Sequence, residues 1–68
     1  MSRYSMLIQW SDEDQAYIVT LPEFRNCRTH GETYAEAVRN GEEVLELLIA
    51  TCREDGAPLP EPHLFQVV

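Results

Sequence analysis

The sequence predicts a small α+β fold: an antiparallel meander of three strands, one helix packed on one face, and a closing parallel strand, all within a single domain spanning residues 1–68. Two runs of alternating apolar residues flank a polar cluster, as in a hairpin. After Thr33, apolar residues recur at spacings of three and four, as in a helix that covers a sheet. Pro58, Pro60 and Pro62 then separate this stretch from a final apolar run.

In the first strand Tyr4, Met6, Ile8 and Trp10 fall on one side, and Ser5, Leu7 and Gln9 on the other. Ser11-Asp12-Glu13-Asp14-Gln15 breaks the alternation, and Ala16–Leu21 resumes it with Tyr17, Val19 and Leu21 facing together. Pro22 stops this second strand because it has no amide to give the ladder. A short third strand around Cys27–His30 leads to Gly31. Thr33-Tyr34-Ala35-Glu36 is a capping box, in which the Thr hydroxyl takes the Glu36 amide and the Glu carboxylate reaches back to the Thr33 amide. The stripe Ala37, Val38, Gly41, Val44, Leu45, Leu48 and Cys52 faces the sheet. Arg53 suits the last turn, and Gly56 is placed for the left-handed residue that ends the helix. The prolines force an extended connector, after which His63–Val68 closes the chain as a strand reached by a right-handed crossover.

One helix cannot cover both faces of such a sheet. The face it leaves open keeps either the Tyr4/Met6/Ile8/Trp10 set or Leu7 and Ile18, so a homodimer, a homotetramer or a protein partner is expected to cover it. At 68 residues the chain is also short of core, which points the same way.

Charge narrows the class of partner. Twelve carboxylates stand against five basic residues, all Arg, for a net charge of −7, which repels a nucleic-acid backbone and favours a basic protein. No run approaches the length of a membrane span, and Met1-Ser2-Arg3-Tyr4 is too short and polar to begin a secretory signal, so a cytoplasmic protein is expected. Cys27, Cys52, His30 and His63 are scattered without metal-ligand spacing, and no cofactor or metal is expected. Nor does the sequence suggest an enzyme. Asp12, Glu13 and Asp14 cluster in an exposed turn and the helix acids lie on the solvent side, while Cys27 and His30 point to opposite faces of one strand. The residues suited to meeting a basic partner are Trp10 and Tyr17 on the hairpin, Asp12, Glu13 and Asp14 in its turn, and Glu36, Glu43 and Glu46 on the helix.

Taken together, certain residues resemble the HicB antitoxins of toxin–antitoxin pairs, including their short stand-alone relatives. They are Tyr4, Asp12-Glu13-Asp14, Tyr17-Ile18-Val19 with Leu21-Pro22, Cys27-Arg28-Thr29-His30-Gly31-Glu32-Thr33, Glu36-Ala37, and Gly56 with Leu59-Pro60-Glu61-Pro62. The resemblance runs along nearly the whole chain. It implies a partial RNase H-like fold and an inhibitor of a small basic toxin of the HicA type, which cleaves mRNA. Asn26 stands where the family often has Gly, and Asn is the residue that best tolerates a positive φ in its place. Glu32 stands where it often has Asp. Longer relatives continue into a DNA-binding segment. No second helical pattern follows Gly56 here, so no separate DNA-binding domain and no direct nucleic-acid binding are expected. The other function compatible with these residues is an oligomeric adaptor or regulator that has no toxin partner.

Overall fold

A computed structural model describes residues 2–67. It contains β1 (Leu7–Ser11), β2 (Ala16–Leu21), β3 (Cys27–Gly31) and one helix, α1 (Tyr34–Asp55), with a single 3-10 turn, Pro22–Phe24, between β2 and β3. The strands form one antiparallel sheet in the order β1-β2-β3. In its register Ile8 and Thr29 flank Val19, and Trp10 and Gly31 flank Tyr17.

Residues that share a register position share a face, so the alternation in the sequence decides what the helix covers. Val19 and Leu21 are fully buried and join Ala37 and Leu45 of α1 in the core. Tyr4, Met6, Ile8 and Tyr17 pack around them from the sheet side, and Val44, Leu48 and Ile49 from the helix. The opposite face carries Leu7, Thr20 and Arg28 in one row and Gln9, Ile18 and His30 in the next. The open face is therefore the Leu7/Ile18 set, and Leu7 is half exposed.

Two glycines let the helix sit close to the sheet. A Cβ on Gly31 would meet the Ala37 amide nitrogen, and would lie 2.7 Å from Ala37 Cα and 2.8 Å from the Glu36 carbonyl carbon. These are backbone atoms that cannot turn aside. A Cβ on Gly41 would instead meet the flexible Met6 Sδ at 2.6 Å and Val19 Cγ1 at 3.0 Å.

The ends of α1 follow the sequence closely, with one difference. Thr33 is the N-cap and its hydroxyl accepts from the Glu36 amide at 3.1 Å. The Glu36 carboxylate, however, accepts from the Glu32 amide at 3.0 Å and not from that of Thr33. It reaches one residue further, which ties the end of β3 to the helix start. At the other end Gly56 is left-handed (φ 68°), its amide donates to Arg53 O, and the Ala57 amide donates to Cys52 O at 2.9 Å, the paired bonds of a Schellman stop. Asn26 adopts φ 56°, as its residue type allows, and Arg25 and Gln15 also take positive φ.

Both ends of the chain depart from the expected strands. The first ladder residue is Leu7, not Tyr4, and residues 63–67 form no strand, so the parallel pairing and the crossover are absent among the described residues; Val68 lies outside them. At both departures stands Glu23 in the 3-10 turn, which is 8% exposed. Its carboxylate accepts from the Ser5 amide at 3.1 Å, the Ser5 hydroxyl at 3.0 Å and the His63 amide at 2.9 Å. The Ser5 and His63 amides are thus both taken by one carboxylate and give nothing to a ladder. Tyr4 adds a second tie, its hydroxyl donating to Pro60 O at 2.8 Å.

Gly31→Ala should cost about 3 kcal/mol or more in chemical denaturation, since an added methyl meets immovable backbone. Gly41→Ala should change stability by about 1 kcal/mol or less, because better helix propensity offsets a small shift of Met6. Burial alone would raise the Glu23 pKa, but bonds from the amides of His63, Glu23 itself and Ser5, and from the Ser5 hydroxyl, hold it below its ordinary 4.5. The ionised form is thus favoured by folding. Its contribution is full above the unfolded pKa and is lost as pH falls through the lower folded value. Glu23→Gln should cost about 1.5–3 kcal/mol at neutral pH, the range for bonds to a charged acceptor. It should also flatten the decline of the melting temperature below about pH 4.5.

Candidate partner-binding surface

The hairpin turn, the end of β3 and the start of α1 lie at one end of the sheet, because Ser11 pairs with Ala16 and Gly31 with Tyr17. Three aromatic rings meet there. Trp10 and Tyr17 are cross-strand partners whose rings stand edge to face with centroids 5.0 Å apart. Tyr34, in the first turn of α1, stacks edge to face on Tyr17 at 5.4 Å. The missing side chain at Gly31 makes this possible, since it lets the helix start settle onto the sheet beside Tyr17. Such pairs contribute about 0.5–1.5 kcal/mol each beyond their buried area. They leave Trp10 47% and Tyr34 58% exposed, which makes this a surface feature and not part of the core.

The turn beside these rings is acidic and internally braced. Trp10 Nε1 donates to Asp12 Oδ1 at 2.8 Å, fixing the indole. The Ser11 hydroxyl donates to Asp14 Oδ2 at 3.1 Å and accepts from the Asp14 amide at 3.2 Å. The Gln15 side chain donates to Asp12 O at 2.6 Å, with Gln15 left-handed at φ 51°. Asp12, Glu13 and Asp14 are exposed. Bracing matters because a held carboxylate loses less rotamer freedom when a partner arrives. An exposed aromatic face next to a fixed carboxylate suits a guanidinium or ammonium group, which gains both a cation–π contact and a charged hydrogen bond.

Of the residues singled out in the sequence, Trp10, Tyr17, Asp12, Glu13 and Asp14 come together at this corner. Glu36 is at the same end of the sheet, but its carboxylate is engaged by the Glu32 amide. Glu43 and Glu46 are exposed further along α1, two to three turns from its start, and do not join the corner. Tyr34 belongs to the corner and was missed by pattern reading, which treats it as a filler inside the capping box. Its signal is an aromatic residue at the first helical position, one helical turn from the stripe.

Cys27 and Cys52 are free and half-buried, and on β3 Cys27 sits opposite Leu21 while His30 sits opposite Ile18, on the other face. Among the described residues no three His, Cys, Asp or Glu side chains converge to hold a metal ion, and no helix is long and apolar enough to cross a membrane.

Comparison with known proteins places the chain. Residues 4–68 match the family described as HicB-like antitoxins of bacterial toxin–antitoxin systems. A UPF0150 protein of Synechocystis sp. is 30% identical over 62 residues, which cover 91% of this chain and 77% of that protein. A UPF0150 protein of Thermoplasma acidophilum is 28% identical over 65 residues, covering 96% of this chain and 93% of that protein. No solved structure matches. The chain belongs to the family of HicB-like antitoxins of bacterial toxin–antitoxin systems.

Proposed function

We propose that this protein is a cytoplasmic, non-enzymatic inhibitor that binds and covers a small, basic, mRNA-cleaving toxin of the HicA type. The observation that carries this reading is the Trp10–Tyr17–Tyr34 stack beside the Asp12–Asp14 turn, in a chain of net charge −7. A toxin that must grip RNA needs a positive surface, and this corner is complementary to one. The β-β-β-α order agrees with the beginning of a partial RNase H-like fold, but the acids that such folds use with metal ions have no counterpart on these strands, where the carboxylates sit in a turn. The inhibitor acts as a homo-oligomer, a dimer or tetramer, whose assembly covers apolar surface that one helix leaves exposed.

The direct test is titration into the cognate toxin in an RNA-cleavage assay. Inhibition should end at a fixed molar ratio, and silencing of excess toxin by a trace of this protein would overturn the reading. Two sets of substitutions locate the surface. Tyr34→Ala should weaken toxin binding by about 1–2 kcal/mol, roughly 5- to 30-fold in Kd, while lowering the melting temperature by only a few degrees, the loss of its edge-to-face contact with Tyr17. Reversing Asp12, Glu13 and Asp14 to Lys should slow association about tenfold or more at low salt. Reversing Glu43 and Glu46 should slow it less, and Glu36 is left out because it braces the helix start. A larger loss from the Glu43 and Glu46 reversal would move the contact onto the helix.

A further inference from the structure

The segment after His63 is unlike the rest of the surface. Leu64 is 59%, Phe65 91% and Val67 89% exposed. Leu-Phe-Gln-Val carries no charge, is rich in strand-forming side chains, and leaves the body of the protein without a backbone hydrogen bond to any other described residue. The accessible surface of the chain, 5472 Å², exceeds by about 1,100 Å² the roughly 4,400 Å² expected of a folded monomer of this mass. The radius of gyration, 12.9 Å, exceeds the roughly 11 Å of a compact chain of this length. An excess of about 1,100 Å² is above the roughly 800 Å² that each partner contributes to a standard stable interface.

The sheet has a matching vacancy. β1 pairs with β2 alone, and no described side chain bonds the backbone of Leu7–Ser11, so its outer edge is open. The edge of β3 is partly closed, because the Asn40 side chain donates to His30 O at 2.8 Å. The tail leaves from the β1 side: His63 is held by Glu23 together with Ser5, two residues before β1 begins. Within one chain both amides are taken by that carboxylate, and no ladder joins the two segments among the described residues.

We infer that residues 64–67 add as a strand to the open edge of β1 in a second copy of this chain, and that the second copy returns its own tail to the first. Each chain offers one tail and one vacant edge, so a two-fold pair satisfies both at once, as a closed isologous dimer requires. An uncharged tail gives a basic toxin nothing to recognise, whereas it fits an edge whose neighbour Leu7 is itself apolar and half exposed. This inference rests on the oligomeric reading above and specifies its geometry.

The test uses the full chain with Phe65→Asp and Val67→Asp together, changes confined to exposed side chains that leave the fold of a monomer intact. Light scattering at micromolar concentration should give twice the 7.8 kDa chain mass for the native protein, and a single chain mass for the variant at the same circular-dichroism signal. Hydrogen exchange supplies the second measurement. In the native protein the outward-pointing amides of Leu7–Ser11 should be protected, and in the variant those amides should exchange at least tenfold faster while amides facing β2 stay slow. A variant that remains dimeric, or a native dimer whose β1 edge exchanges freely, overturns strand exchange and leaves oligomerisation standing. A native protein that is monomeric overturns both.

Discussion

The carboxylate of Glu23 organises more of this chain than any other single group. It draws the Ser5 amide and hydroxyl from before β1 and the His63 amide from after α1 into one buried site. A buried carboxylate is costly unless it is fully bonded, and here it accepts from several donors with no cation beside it among the described residues. The arrangement has two consequences. The N-terminal segment is held beside the ladder and not in it, and Tyr4 and Met6 pack as core cover. The segment after α1 is also fixed in direction, running past Ser5 and Tyr4 and then away from its own sheet.

A second constraint works at the other end of the sheet. Gly31 allows the backbone of Glu36–Ala37 to rest directly on β3, and Glu36 locks that contact through the Glu32 amide. Close seating of the helix start is what brings Tyr34 onto Tyr17, and Tyr17 onto Trp10 through the strand register. The aromatic corner is thus a product of backbone packing, and the acidic turn is added to it by the hairpin. Fold and candidate surface share the same few residues, so a change at Gly31 disturbs both.

Most of the fold was legible in the sequence because its signals are local. Alternation in 16–21, the Pro22 stop, the Thr33 cap, the three-and-four spacing from Ala37 and the Gly56 stop each act within a few residues, and each appears where the pattern puts it. The departures are all long-range. Tyr4–Trp10 alternates throughout, but β2 ends at Leu21, so Tyr4 and Ser5 have no ladder partner there and the Ser5 amide bonds Glu23, 18 residues away. His63–Val68 has strand composition, yet among the described residues of one chain it finds no strand to pair with. Nothing local marks Glu23 as buried, since its neighbours in sequence are Pro22 and Phe24 in a turn. In the corner, Trp10, Tyr17 and the turn acids were readable from face and charge. Tyr34 was not, because its contact depends on how closely the helix sits.

The two outward-facing features share β1, since Trp10 lies on the strand whose edge the tail would join, but they use different groups of it. Trp10, Tyr17 and Tyr34 belong to the helix-covered face at the hairpin end of the sheet. The tail departs beside Ser5, at the opposite end of β1, and a strand adding to β1 approaches in the plane of the sheet along its edge. Edge pairing consumes backbone groups, whereas the corner presents ring faces and carboxylates, so one does not use up the other. A pair of chains joined through their tails would therefore carry two acidic, aromatic corners facing outward. Two such corners on one rigid body raise the effective concentration of the second site for any partner that is itself paired, and hold a basic partner longer than either corner alone.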